Sequence, residues 1–185
     1  MGMLDGLFGK KSQVTKAAFA FVVPRLISEL ELLREQFIFG CVTALKSEGA
    51  PVANISPILE KGSELDAALK GFQLTTIVGF AWNFMKFEDQ LPFDRIVTAA
   101  VDSNDKDITS RYRERYLDCQ GNIDLLSSFL AEDIHRIWGR PEPVAKFKRG
   151  LGNAAITLGI VSQATTANVF GDTKTERKLK SRLRI

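Results

Sequence analysis

The chain has 185 residues, 45% of them hydrophobic and 25% charged, with a formal net charge of +3 at pH 7. This composition excludes the low-hydrophobicity, high-charge profile of disordered chains, and two cysteines, Cys41 and Cys119, are too few for a disulfide framework or a cysteine-based zinc site. The charge is unevenly placed: Asp172 to Ile185 carries six Lys or Arg against two Asp or Glu, so residues 1–171 are within one charge of neutral.

Residues 1–13 read as a flexible N-terminus. They lack the long apolar core of a secretory signal, which predicts a cytoplasmic protein with both thiols reduced in the core. The longest charge-free stretch, Leu151 to Gly171, has the length of a membrane span. Seven polar residues interrupt it, among them Asn153, Gln163 and Asn168, whereas a span is predominantly apolar. A buried helix is expected there, and no transmembrane segment.

Apolar residues from Phe19 through Val23, Leu26, Leu30, Leu33, Phe37 and Cys41 recur in steps of three and four, so the spacing predicts helix from Val14 to Lys46, with Pro24 dividing it into a short and a long piece. Gly49, Pro51, Pro57 and Gly62 make 47–62 a connecting segment. Ser63-Glu-Leu-Asp66 is a helix start, and the helix that follows, to about Gln90, carries apolar residues around most of its circumference, including Leu69, Phe72, Phe80, Phe84 and Phe87 on one stripe and Leu74, Val78, Trp82 and Met85 on another. It is expected at the centre of the domain. Pro92 opens a short helix to about Val101, and Asp102-Ser-Asn-Asp-Lys106 is a polar turn.

The next stripe, from Ile108 through Tyr112, Tyr116, Cys119, Ile123, Leu126, Leu130 and Ile134 to Ile137, predicts one long amphipathic helix stopped by Gly139 and Pro141. The last core helix, about Pro143 to Phe170, is rich in small residues that favour close helix packing, with Gly171 as terminator. No segment alternates in the manner of a strand. The expectation is therefore an all-α chain, a single-domain antiparallel bundle of about five main helices over 14–171, with a basic C-terminal tail over 172–185 that is disordered or becomes helical on binding.

For chemistry, Glu132 and His135 form Glu-x-x-His at helical spacing, but His135 is the only histidine, and dinuclear bundle sites need such a pair from each of two helices. His135-Arg-Ile-Trp-Gly139 is similar to histidine phosphotransfer domains over five residues, with Trp138 where those domains place a lysine, which removes the cation expected beside a phosphate. Neither a metal site nor a nucleophile with His135 as base is expected, and no cofactor is predicted.

Three groups of cations are candidates for contact with an anion or partner: Arg111, Arg113 and Arg115, interleaved with Tyr112 and Tyr116; Lys146, Lys148 and Arg149 around Phe147; and Lys178, Lys180, Arg182 and Arg184 in the tail. The expected function is non-catalytic, as a scaffold, adaptor or regulator acting on a protein partner or by self-association, with nucleic acid or an anionic membrane as further partners for the tail. One alternative is a carrier or sensor holding an apolar small molecule beside Phe80, Trp82, Phe84 and Trp138. A second is an enzyme using Glu132 and His135.

Overall fold

The computed structural model describes residues 18–47, 63–101, 106–137 and 145–183, with backbone only for 44–47, 106 and 145–149. The chain is all-α. The described residues form seven helices, α1 (Phe19–Ser47), α2 (Glu64–Ala81), α3 (Phe87–Val101), α4 (Lys106–Asp118), α5 (Ile123–Ile137), α6 (Ala145–Val169) and α7 (Thr173–Arg182), with a short 3-10 turn at Trp82–Phe84 and no strand among them. No helix in this set is long and apolar enough to cross a membrane.

Helices α2 and α6 are the hubs: α2 packs against α3, α4, α5 and α6, while α6 also packs against α1, α5 and α7. Around them the apolar residues form two clusters. One joins Leu65, Leu69 and Phe72 of α2 to Tyr112 of α4, Leu126, Leu130 and Ile134 of α5, and Leu151, Ala155 and Leu158 of α6. The other joins Phe19, Val23, Leu26 and Leu30 of α1 to Leu74, Ile77 and Val78 of α2, Phe93 and Val97 of α3, and Ala167 and Phe170 beside the end of α6. Burial of these side chains contributes about 1.5–3 kcal/mol each for the larger ones, which holds helices whose own propensities are ordinary.

Four helix boundaries differ from the expectation, each for a local reason. Helix α1 runs unbroken through Pro24. Proline there deprives the Ala20 carbonyl of its donor, but both residues are exposed and water can replace the bond. The expected helix to Gln90 ends at Ala81 instead, where the Asn83 side-chain amide donates to the Phe80 carbonyl at 3.0 Å and Met85 adopts extended backbone. Helix α3 then starts at Phe87, ahead of Pro92, with Glu88 and Asp89 favourably placed in its first turn.

The expected long helix from Asp107 to Ile137 is two helices. At the end of α4 the Gly121 amide donates to the Tyr116 carbonyl at 2.9 Å and the Gln120 amide to Leu117 at 3.0 Å, with Gln120 and Gly121 at φ 52° and 71°. This is a Schellman stop with a non-glycine residue in the left-handed position. Asn122 immediately caps α5, its Oδ1 accepting from the Asp124 and Leu125 amides.

The C-terminal segment, expected as a tail, is helical as α7. Gly171, at φ 81°, ends α6 by the same Schellman pattern, and Asp172 caps α7 by accepting from the Thr175 amide at 2.9 Å. Leu179 and Leu183 then pack against the first core cluster. Residues 1–17, 48–62, 102–105, 138–144, Arg184 and Ile185 lie outside the described residues, and with them the expected N-terminal, connecting and Gly139–Pro141 segments.

Two carboxylates fix α7: Asp172 caps its first turn, and Glu176 accepts from Asn168 of α6. Burial raises the pKa of Asp172, but hydrogen bonds from Thr175 and Lys174 overcome this and leave it below the ordinary value of 3.8. Glu176 is lowered from 4.5, first by the Asn168 side chain and then by Lys180. Groups with lowered folded-state values stabilise above the ordinary range, and that stabilisation is lost as pH falls through the lowered values. The amide NMR signals of α7 are therefore expected to be steady above pH 5 and to shift and broaden as pH drops below about 4. Signals unmoved down to pH 2 would contradict this.

Candidate functional site

The three side chains of the arginine triplet on α4 point to three different places. The Arg111 guanidinium donates to Asp133 Oδ2 at 2.5 Å, and the neighbouring Tyr112 hydroxyl donates to the same oxygen at 3.1 Å. Asp133 Oδ1 faces Arg136, which donates at 3.3 Å and extends to Glu64 on α2. A carboxylate only 5% exposed thus joins α4 to α5, and Arg136 carries the network on to α2.

The second arginine, Arg113, donates to Asp94 on α3 and to Thr98 at 2.9 Å. The third, Arg115, lies over the face of Phe129 with its guanidinium carbon 4.8 Å from the ring centroid, and Phe129 in turn meets Tyr112 edge-on. Two of the three cations named as candidates for anion or partner contact, Arg111 and Arg113, are thus paired with carboxylates of the fold, and the third lies on a ring. Charge-assisted bonds of this kind are the stronger class of hydrogen bond.

Burial, the Asp133 charge and the bond to Asp133 push the Tyr112 phenol far above its ordinary value, so it remains a neutral donor. Arg136 is also held above its usual value, chiefly by its bond to Glu64, and stays cationic. Among the Arg111 nitrogens, Nε is buried without a hydrogen-bond partner among the described residues.

Asp133 was not singled out from sequence. Its signal was present: an acid three residues after Leu130 and seven after Leu126, on the buried side of α5. The same pattern marks Asp66 on α2, buried between Leu65 and Leu69 and paired with Arg34 at 3.3 Å and Lys70 at 2.9 Å.

Glu132 and His135 are not brought into any constellation of this kind. Glu132 is exposed and His135 is half-buried on α5. No group of three or more His, Cys, Asp or Glu among the described residues stands where it could hold a metal ion. For the aromatic group expected around an apolar ligand, Phe84 is in the core, Phe80 is half-buried, Trp82 is exposed and Trp138 lies outside the described residues.

Lys178, Lys180 and Arg182 are exposed on α7. Lys180 pairs with Glu176 and Arg182 reaches Asp124 on α5 at 3.2 Å. The side chains of Lys146, Lys148 and Arg149, and Arg184 altogether, lie outside the described residues. Both thiols are free: burial pushes Cys41 up to about 12, so it is protonated at neutral pH.

Several buried polar oxygens accompany the core. Gln73 donates to the Leu30 carbonyl at 3.0 Å, while its own Oε1 and the hydroxyls of Thr75, Thr76, Ser127 and Ser162 have no hydrogen-bond partner among the described residues. A buried hydroxyl without a partner is destabilising by about 1–3 kcal/mol, so Thr76→Val, which preserves shape, is expected to raise stability by about 1 kcal/mol. A lower urea midpoint for that variant would mean that the hydroxyl is bonded after all.

The feature sequence reading missed altogether is on α1. This helix buries Phe19, Val23, Leu26 and Leu30, yet it also exposes Phe21 (82%), Leu32 (51%) and Phe39 (73%). At 100° per residue these three fall within roughly 20° of one another, on the side opposite the buried stripe, along about 27 Å of helix. The stripe was hidden because its members are 11 and 7 residues apart, with polar residues between them. No family model, no curated protein and no solved structure matches the chain.

Proposed function

We propose that the protein is non-catalytic and works by contact with another macromolecule, as a scaffold, adaptor or regulator. The observation that carries this reading is the second apolar stripe of α1. Scattered exposed apolar residues are ordinary, but large ones aligned on one helix face are a feature of docking surfaces. Engagement of the arginine triplet within the fold supports the same reading, since Arg111 and Arg113 hold helices together. A cytoplasmic setting belongs to it, because free thiols suit a reducing compartment.

The test is to place a photo-crosslinking residue at position 21, 32 or 39, or at the exposed control position Glu114, and to irradiate the cells that make the protein. Covalent adducts from the α1 positions, with none from position 114, are expected. Equal adducts from all four, or none, would overturn the reading.

A second reading, contact with nucleic acid or an anionic membrane, rests on Lys174, Arg177 and Lys178, which are exposed on α7. Such binding weakens steeply with salt. The double variant Lys174→Glu, Lys178→Glu would abolish it while leaving α1 crosslinks intact.

A further inference from the structure

The apolar stripe on α1 has charged flanks, and their sign selects among the surfaces that could cover it. Glu29, Glu31 and Glu35 are exposed beside Leu32. Among the described side chains the cation on that side is Arg25, whose guanidinium donates to Asn168 at 3.2 Å. Arg34, 14% exposed, pairs inward with Asp66 at 3.3 Å and also reaches Glu31 at 3.9 Å. Among the described side chains the outward face therefore presents three carboxylates, of which Glu31 is shared with Arg34, against the Arg25 guanidinium around Phe21, Leu32 and Phe39.

Three occupants can be compared on that charge. An isologous contact with a second copy would set this acidic face against itself, and like charges across an interface are unfavourable. An anionic membrane carries the same sign as the face. An amphipathic helix of about 18 residues, roughly 27 Å long, with one apolar face and lysines or arginines on its edges matches both the length of the stripe and the sign of its flanks.

We propose that the outward face of α1 is the docking site for a basic amphipathic helix of a partner protein. This rests on the contact reading above and specifies the partner's chemistry. The partner's apolar side chains lie along Phe21, Leu32 and Phe39, and its cations pair with Glu29, Glu31 and Glu35. Exposed pairs of this type contribute little affinity singly, so the apolar stripe supplies the affinity and the carboxylates the choice of partner.

The test uses fluorescence anisotropy with three labelled 18-residue peptides: leucine and lysine arranged with all leucines on one helical face, the same composition in scrambled order, and a leucine-glutamate counterpart of the first. The full chain is expected to bind the amphipathic lysine peptide at least tenfold more tightly than either control. The double variant Leu32→Ser, Phe39→Ser should lose at least tenfold, and the triple variant Glu29→Lys, Glu31→Lys, Glu35→Lys should reverse the preference toward the glutamate peptide. All of these changes are at the surface, and circular dichroism checks that each variant keeps its helices.

Unchanged binding in the double variant, or an unreversed preference in the triple variant, would overturn the proposal. So would a doubling of mass in solution abolished by Leu32→Ser, Phe39→Ser, which would assign the face to a second copy, or binding to phosphatidylglycerol vesicles abolished by the same variant, which would assign it to a membrane. If adducts form in cells from position 39 while no peptide discriminates by charge, the contact reading stands and the basic-helix inference falls. If no adducts form, the contact reading falls.

Discussion

Replacing Asp133 with alanine is expected to lower the free energy of unfolding by about 2–4 kcal/mol. Removing one member of a buried ion pair leaves its partners desolvated and unpaired, which costs about 3–5 kcal/mol when both are fully buried. Here Arg111 and Arg136 are 39% and 53% exposed, and water recovers part of the loss, hence the smaller figure. The Tyr112 hydroxyl, in contrast, is buried and would lose its acceptor outright.

Tyr112→Phe alone removes one hydrogen bond and is expected to cost about 1 kcal/mol. Urea denaturation of the two single variants and the double gives a thermodynamic cycle, and the expected result is strong coupling, with Tyr112→Phe nearly neutral once Asp133 is gone. Fully additive losses would mean that the two groups do not interact and that the site is misassigned.

The second large effect is expected in the other core cluster. Phe93 is fully buried, with its ring 5.3 Å from Phe19 and 5.7 Å from Phe170, so it joins α1, α3 and the end of α6. Phe93→Ala is expected to destabilise by about 3–5 kcal/mol, combining lost burial with the cavity left behind. Phe87 is six residues earlier and 87% exposed. Phe87→Ala should change stability by no more than about 0.5 kcal/mol. Thermal melts of the two variants check the contrast directly, and equal effects would contradict the assignment of inward and outward faces on α3.

The all-helical character was legible because three- and four-residue spacing of apolar side chains recurs from Phe19 to Phe170, with no alternating segment to compete. The breaks were harder to read. The spacing from Cys119 to Ile123 is itself a helical step of four, so the stripe crosses the α4–α5 stop without a gap, even though Gly121-Asn122 is there to mark it. The aromatic run from Phe80 to Phe87 concealed the end of α2 in the same way: periodicity records which residues are apolar, and Trp82 and Phe87 are apolar and exposed.

The C-terminal segment misled through its charge. Six cations suggested a solvated tail, but Leu179 and Leu183 recur at a helical step and Asp172 caps the helix, and those contacts dock it on the body.

The charged site was legible only on its basic side. Arg111, Arg113 and Arg115 stood out as a cluster, whereas their acceptors, Asp133 and Asp94, come from other helices and no local motif links them. The recognisable clue was an acid within an apolar stripe, because an unpaired charge is rarely left in such a position. The outward stripe of α1 was illegible for the opposite reason: Phe21, Leu32 and Phe39 are 11 and 7 residues apart, and the denser steps of Phe19, Val23, Leu26 and Leu30 dominate the pattern.

Helix α1 has two apolar faces, one packed in the core and one exposed. Cysteine accessibility along this helix measures that most directly. Single substitutions Phe21→Cys, Leu32→Cys and Phe39→Cys are expected to be alkylated rapidly in the native protein, while Leu26→Cys and Leu30→Cys react only as fast as the fold opens. Peptide mapping separates each label from Cys41 and Cys119. Protection at 21, 32 and 39 equal to that at 26 and 30 would mean that the outward face of α1 is covered.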